Sequence, residues 1–176
     1  DAIIDVSYSN FFYDGEIQKL VICDYTSKYA FIKVLSTVGV TMISDVINCN
    51  SNGRVLFIVT MSGTTLKIGK YENGQLDNDI QYNNAKLITS DSKYLIIYHT
   101  TEDKFTYSIF KGEGDDYYVS TSNNIDISGI PFYETTVMHH YETTIPSKKY
   151  LVLATYTNQT TNFSYYIYCI DTQSFI

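Results

Sequence analysis

One arrangement of apolar and polar positions recurs along the chain. A basic residue precedes a short, nearly continuous apolar run. A polar turn follows, and then a second run that alternates apolar with polar residues. The copies begin at Lys19, Arg54, Lys93 and Lys149, with apolar runs Leu20–Cys23, Val55–Val59, Tyr94–Tyr98 and Tyr150–Leu153. Their spacings are 35, 39 and 56 residues, the last lengthened by a polar insert. The second runs are Tyr29–Val34, Leu66–Lys70, Phe105–Phe110 and Phe163–Tyr168. The segments between the paired runs, such as Tyr25–Lys28 and Ser62–Thr65, have hairpin composition. A run apolar at every position predicts a central strand covered on both faces. A run that alternates predicts cover on one face only, with Phe105, Tyr107 and Ile109 inward and Thr106 and Ser108 outward.

A polar-flanked strand is expected before each pair, at Ile3–Tyr8, Met42–Ile47, Ala85–Thr89 and Thr136–His140. Outer strands are expected at Gln75–Tyr82 and near Tyr117–Val119. Tyr13-Asp14-Gly15 and Asn50-Ser51-Asn52-Gly53 read as turns, since Asp-Gly and Asn-Gly supply positive φ. No segment sustains a 3.6-residue period with caps, so almost no helix is predicted. The fold class is all-β.

A strand, a turn, a buried strand, a hairpin, an alternating strand and an outer strand, repeated in order, resembles the blade of a β-propeller. The stretch from Ile88 to Lys111 carries the resemblance best. The chain has no Trp, so the Trp-Asp signature of the common propeller repeat is absent, as is a kelch-type Gly-Gly doublet. The resemblance is therefore to the architecture. It implies about four antiparallel blades, with repeat units near 1–41, 42–84, 85–134 and 135–176, in one domain or a segment of a larger one. The alternative is an immunoglobulin-like or jelly-roll sandwich, which also strings short strands together. The chain ends at Phe175-Ile176 without an evident last outer strand, so the Ala2-Ile3-Ile4 strand is expected to close that blade as a clasp. A start at Asp1 is read as processing or as a segment of something longer.

Composition sharpens this picture. The chain carries 18 Tyr and 9 Phe with only 2 Pro, which suits pleated, half-buried surfaces. Twelve basic against nineteen acidic residues leave a net charge of -7, which argues against nucleic acid and anionic membranes as partners. No apolar run approaches the roughly 20 residues of a membrane-spanning helix, so no membrane insertion is expected.

Candidate chemistry is sparse. His139 and His140 are adjacent on an expected strand and so point to opposite faces, which one metal cannot easily bridge. Glu113, Asp115 and Asp116, and likewise Asp77-Asn78-Asp79, lack the spacing of a calcium loop. No metal site, cofactor or catalytic residue is assigned. Cys23 and Cys169 lie in apolar runs and read as buried thiols; among Cys23, Cys49 and Cys169, one disulfide plus one free thiol is an option in a secreted chain. Asn158 and Asn162 head N-glycosylation triplets beside one expected turn, although a chain rich in Asn, Ser and Thr yields such triplets by chance. Tyr117-Tyr118 and Tyr165-Tyr166 place one ring on each face of their strands, which makes them candidate interaction residues.

The expected function is a non-enzymatic structural or protein-interaction module, a scaffold in a larger assembly, with other protein chains or copies of itself as partners. An alternative is an extracellular filament or adhesin subunit that assembles by β-strand addition through Asp1–Ser9. A second alternative is a propeller-type hydrolase or lyase, which needs acidic or His residues from several blades to converge. A glycan is a conditional partner, and the triplets tilt localisation toward the extracellular or secretory side.

Overall fold

A computed structural model of the chain describes residues 6–90, 93–125, 137–156 and 163–176. The strands follow the β-branched and aromatic runs, and Gly15, Gly53, Gly63 and Gly74 stand at positive φ in turns between them. Strands β1 (Tyr8–Asp14), β2 (Ile17–Asp24), β3 (Tyr29–Val34) and β4 (Thr41–Ser44) form the first sheet. Strands β5 (Val46–Ser51), β6 (Leu56–Ser62), β7 (Thr65–Glu72) and β8 (Gln75–Tyr82) form the second. Strands β9 (Ala85–Ser90), β10 (Tyr94–His99), β11 (Lys104–Lys111) and β12 (Tyr118–Ile125) form the third. Strands β13 (Val137–Thr144), β14 (Ser147–Tyr156), β15 (Phe163–Cys169) and β16 (Ser174–Phe175) form the fourth. Strand order within each sheet is sequence order, so each sheet is a meander. The described residues contain no α-helix, and only a single 3-10 turn at Gly114–Asp116. The protein is all-β.

Some expected boundaries move. The first strand begins at Tyr8, where the expected Ile3–Tyr8 run ends, and residues 1–5 lie outside the described set, including the expected Ala2–Ile4 clasp. Tyr13 and Asp14 are strand residues, and the bend is taken by Gly15 at φ 62°. The expected Met42–Ile47 strand is two strands in two different sheets. Asp45 separates them in a left-handed conformation, φ 60°, which short polar side chains tolerate better than the β-branched residues around it. The fourth sheet does have a last strand, because β16 pairs with β15 through Tyr168 opposite Phe175 and Cys169 opposite Ser174.

The chain divides into two compact units, residues 1–86 with 110–119, and residues 87–109 with 120–176. In the first unit the first and second sheets pack face to face. Phe12, Val21, Cys23, Ala30 and Ile32 of the first meet Val46, Cys49, Leu56, Ile58 and Tyr71 of the second. Phe12 and Tyr71 contact edge to face with ring centroids 6.0 Å apart. Each Leu or Ile side chain buried in this way contributes roughly 1.5–3 kcal/mol. Cys23 and Cys49 form a disulfide across this core, spanning 26 residues, and Cys169 is free and buried. Cys23 is therefore a bonded cysteine, unlike its expected reading as a thiol.

In the second unit, Tyr94, Ile96, Phe105, Tyr107 and Ile125 of the third sheet pack against Leu151, Leu153 and Tyr168 of the fourth. The doubly apolar strand β10 is buried along its length except at Tyr98, as its pattern predicts. Strand β11 departs from expectation. Thr106 and Ser108, expected to face water, are 5% and 0% exposed. Thr106 is tolerated there because its hydroxyl lies 2.8 Å from His99 Nε2 across the hairpin, so a polar pair satisfies itself inside.

Burial, reinforced by Lys104, holds the His99 imidazole below its ordinary value, while Glu102 opposes the shift. A depressed histidine favours the folded state when neutral. Its contribution is present above the unfolded value of about 6.5 and fades as pH falls through the folded value. Thr106→Val should destabilise by about 1–3 kcal/mol by leaving a buried ring nitrogen short of a partner. Wild type and variant should both lose stability as pH falls below ~6.5, because burial and Lys104 depress His99 in each. Urea unfolding at a series of pH values checks both.

Candidate functional site

Within the first unit, loops from both sheets gather at one end of the strands. The β1–β2 turn brings Gly15 and Glu16, the β5–β6 loop brings Arg54, and the β7–β8 turn brings Asn73 and Gly74. Gly112, at φ 93°, turns the chain after β11 so that Asp115 joins them. A Cβ at Gly112 would sit 2.2 Å from the Asp116 carbonyl oxygen. Gly112→Ala should therefore cost at least about 1–3 kcal/mol and weaken the Arg54–Asp115 contact, measurable by thermal unfolding. The β7–β8 turn is a two-residue Asn-Gly hairpin with φ of 53° and 77°.

These loops line a cavity of about 230 Å³, walled by Tyr13, Glu16, Arg54, Lys70, Glu72 and Asp115. Four of its charges form two pairs. Arg54 Nε lies 3.3 Å from Asp115 Oδ1, and its guanidinium sits 5.3 Å from the centre of the Tyr13 ring. Lys70 Nζ lies 3.5 Å from Glu72 Oε1. Beneath them Asp14 and Lys19 form a buried ion pair, with Nζ donating to Oδ2 at 2.7 Å. The backbone amides of Asn73 and Gly74 also donate to Asp14, at 2.6 and 2.8 Å. Burial alone would raise the Asp14 carboxyl. The hydrogen bonds from Lys19, Asn73 and Gly74, together with the Lys19 charge, outweigh burial and hold it below the usual carboxylate range. A carboxylate fixed in this way neither gives nor takes a proton near neutral pH. It pins the β1–β2 hairpin to the β7–β8 turn.

Tyr117 and Tyr118 line a second cavity of about 230 Å³ in the same unit, with Phe57, Ile68 and Ile80. Tyr117 stacks on Phe110 with centroids 5.8 Å apart, and both rings contact Phe57. Its hydroxyl donates to Asn50 Oδ1 at 3.3 Å, and burial pushes its pKa up to about 12. Tyr117 is thus part of an aromatic cluster, whereas Tyr118 is 52% exposed. Tyr117→Phe should cost about 1 kcal/mol through the lost hydrogen bond while keeping the stack, read from the midpoint of urea unfolding.

Tyr165 and Tyr166 lie on β15 in the second unit. Tyr165 is 62% exposed, and Tyr166 packs against the core there, so consecutive rings do occupy opposite faces. His139 is exposed, while His140 lies with its ring 4.1 Å from that of Tyr94. Glu113, Asp115 and Asp116 are all exposed. Among the described residues no group of three His, Cys, Asp or Glu side chains could hold a metal ion. No described helix is long and apolar enough to cross a membrane. Asn158 and Asn162 lie outside the described residues.

The sequence reading missed the outer face of the first sheet. Phe11 and Tyr13 project from it at 53% and 38% exposure, and Met42 on β4 at 58%. The signal was present in Phe11-Phe12-Tyr13, because three consecutive aromatic residues on a strand must place rings on both faces. No family model, curated protein or solved structure matches the chain.

Proposed function

We propose that this chain is a non-enzymatic protein-interaction module that acts as a scaffold in a larger assembly, its four sheets serving as blades of a β-propeller. Meander order within each sheet and face-to-face packing within each unit support the propeller reading. The observation that carries the interaction reading is the outer face of the first sheet. A regular β-surface there displays Phe11, Tyr13 and Met42 to solvent, flanked by half-buried Leu20, Ile22 and Phe31. Contiguous apolar surface of this kind, built on rigid strands, marks sites of association. In the two cavities Arg54 pairs with Asp115, Lys70 pairs with Glu72, and Tyr117 stacks on Phe110.

The test is native mass spectrometry of the protein recovered from its source, combined with hydroxyl-radical footprinting. An assembly in which Phe11, Tyr13 and Met42 are protected is expected. A lone chain with those three side chains fully reactive would overturn the reading.

A further inference from the structure

The polar groups around the loop-lined cavity of the first unit differ in how far they are used. The pair at its base, Asp14 with Lys19, is short at 2.7 Å, buried, and completed by the amides of Asn73 and Gly74. The pairs along the wall are not closed in this way. Arg54 faces Asp115 through Nε at 3.3 Å and through Nη2 at 3.5 Å, and Lys70 Nζ lies 3.5 Å from Glu72. Charge-assisted hydrogen bonds at full strength measure about 2.7–2.9 Å. These four side chains are between 32% and 77% exposed. Arg54 turns at most two of its five N–H groups to Asp115, and Lys70 at most one of its three to Glu72. Glu16 enters no ion pair among the described residues.

Donors and acceptors therefore stand side by side around the cavity with capacity to spare. An anion entering it meets Glu16, Glu72 and Asp115, and a cation meets Arg54 and Lys70, so a full charge of either sign is opposed. A hydroxyl is not opposed, because it donates and accepts at one oxygen and fits between a guanidinium or ammonium and the neighbouring carboxylate. Several hydroxyls on one small ring use several such places at once. Tyr13 borders the same cavity at 38% exposure and adds apolar area for the C–H side of that ring. The volume, about 230 Å³, falls below the roughly 300–1,000 Å³ of pockets for larger ligands, which limits the occupant to one small ring. The loops are also set in advance. Asn52 Oδ1 accepts from the Arg54 amide at 2.9 Å, and Asn52 Nδ2 donates to the Gly114 carbonyl at 2.8 Å. This ties the loop bearing Arg54 to the loop bearing Asp115, and spares a ligand the cost of ordering them.

We infer that this cavity binds one neutral sugar ring, through hydroxyls placed between Arg54 and Asp115 and between Lys70 and Glu72, with Tyr13 beside the ring. The site is independent of the scaffold reading, since it uses neither Phe11 nor Met42.

Saturation-transfer NMR titrations of the full chain with glucose, galactose, mannose and N-acetylglucosamine test this. Saturable binding of at least one is expected, with a Kd that changes less than about twofold between ~50 mM and ~0.5 M NaCl, because the ligand is uncharged. Tyr13→Ala and Asp115→Asn should each raise that Kd about tenfold or more. Phe11→Ser, on the outer face of the first sheet, and Tyr118→Ala, in the second cavity, should leave it unchanged. The Asp115 side chain is 77% exposed, so the circular dichroism and melting temperature of Asp115→Asn should stay close to wild type. Lack of saturable binding by all four sugars overturns the inference. So does a Kd that rises steeply with salt, or one that Asp115→Asn leaves unchanged in a folded protein.

Discussion

A Cys23→Ser, Cys49→Ser double variant should unfold about 3.5 kcal/mol more easily than wild type, and melt roughly 10 °C lower. The disulfide closes a 26-residue loop that joins β2 of the first sheet to β5 of the second. Most of its effect falls on the unfolded chain, whose freedom it restricts, and the cost of losing a link grows with the logarithm of the loop. Both cysteines are buried in the core of the first unit, at 0% and 4% exposure, so serine there adds two hydroxyls that must find partners. Thiol titration in denaturant gives a direct check: one reactive thiol, Cys169, before reduction, and all three after it. Three thiols before reduction, or an unchanged melting temperature in the double variant, would refute the prediction. Cys169→Ser on its own should leave the reducing-agent sensitivity of unfolding untouched.

The strands were legible in the sequence wherever a local rule decides the outcome. Tyr29–Val34 and Gln75–Tyr82 are strands with the bounds expected from their apolar and turn residues. Three of the four basic residues that open the repeats pair with a carboxylate. Lys19 pairs with Asp14, Arg54 with Asp115, and Lys93 with Glu142 at 2.5 Å, while the Lys149 amide is held by Asp171 at 2.8 Å. What was not legible is set by partners distant in sequence. The burial of Ser108 depends on what covers the second face of β11, which alternation alone does not encode. The pairing of Cys23 with Cys49 depends on two sheets packing face to face. The Asp14 site needs amides from the β7–β8 turn, 59 and 60 residues further along. The break at Asp45 was hidden because Met42–Ile47 has the composition of one strand, and a single residue at positive φ divides it.

The same Asp14 leads to the second large effect. Lys19→Met should destabilise by about 3–5 kcal/mol, because it leaves a carboxylate buried without its countercharge. Asp14→Leu should cost a similar amount, since it strands the Lys19 ammonium at 6% exposure and frees the amides of Asn73 and Gly74. The ammonium keeps only its approach to the Tyr71 ring, 5.1 Å from the centroid. The double variant should recover much of the loss, because two apolar side chains in place of a buried pair incur no desolvation of charge. Urea unfolding of the four proteins gives the coupling directly, and strictly additive losses would show that the two groups do not act as a pair. Acid provides an independent reading. A carboxyl held below its unfolded value stabilises the fold above about pH 4 and loses that contribution as pH falls through the folded value. Wild type should therefore lose stability toward low pH more steeply than the Asp14→Leu, Lys19→Met protein. Equal slopes would place the acid sensitivity on other carboxylates, such as Asp24, which accepts from the Thr26 and Ser27 amides. The loop-lined end of the first unit is thus held by a buried pair whose removal loosens the β1–β2 and β7–β8 turns together.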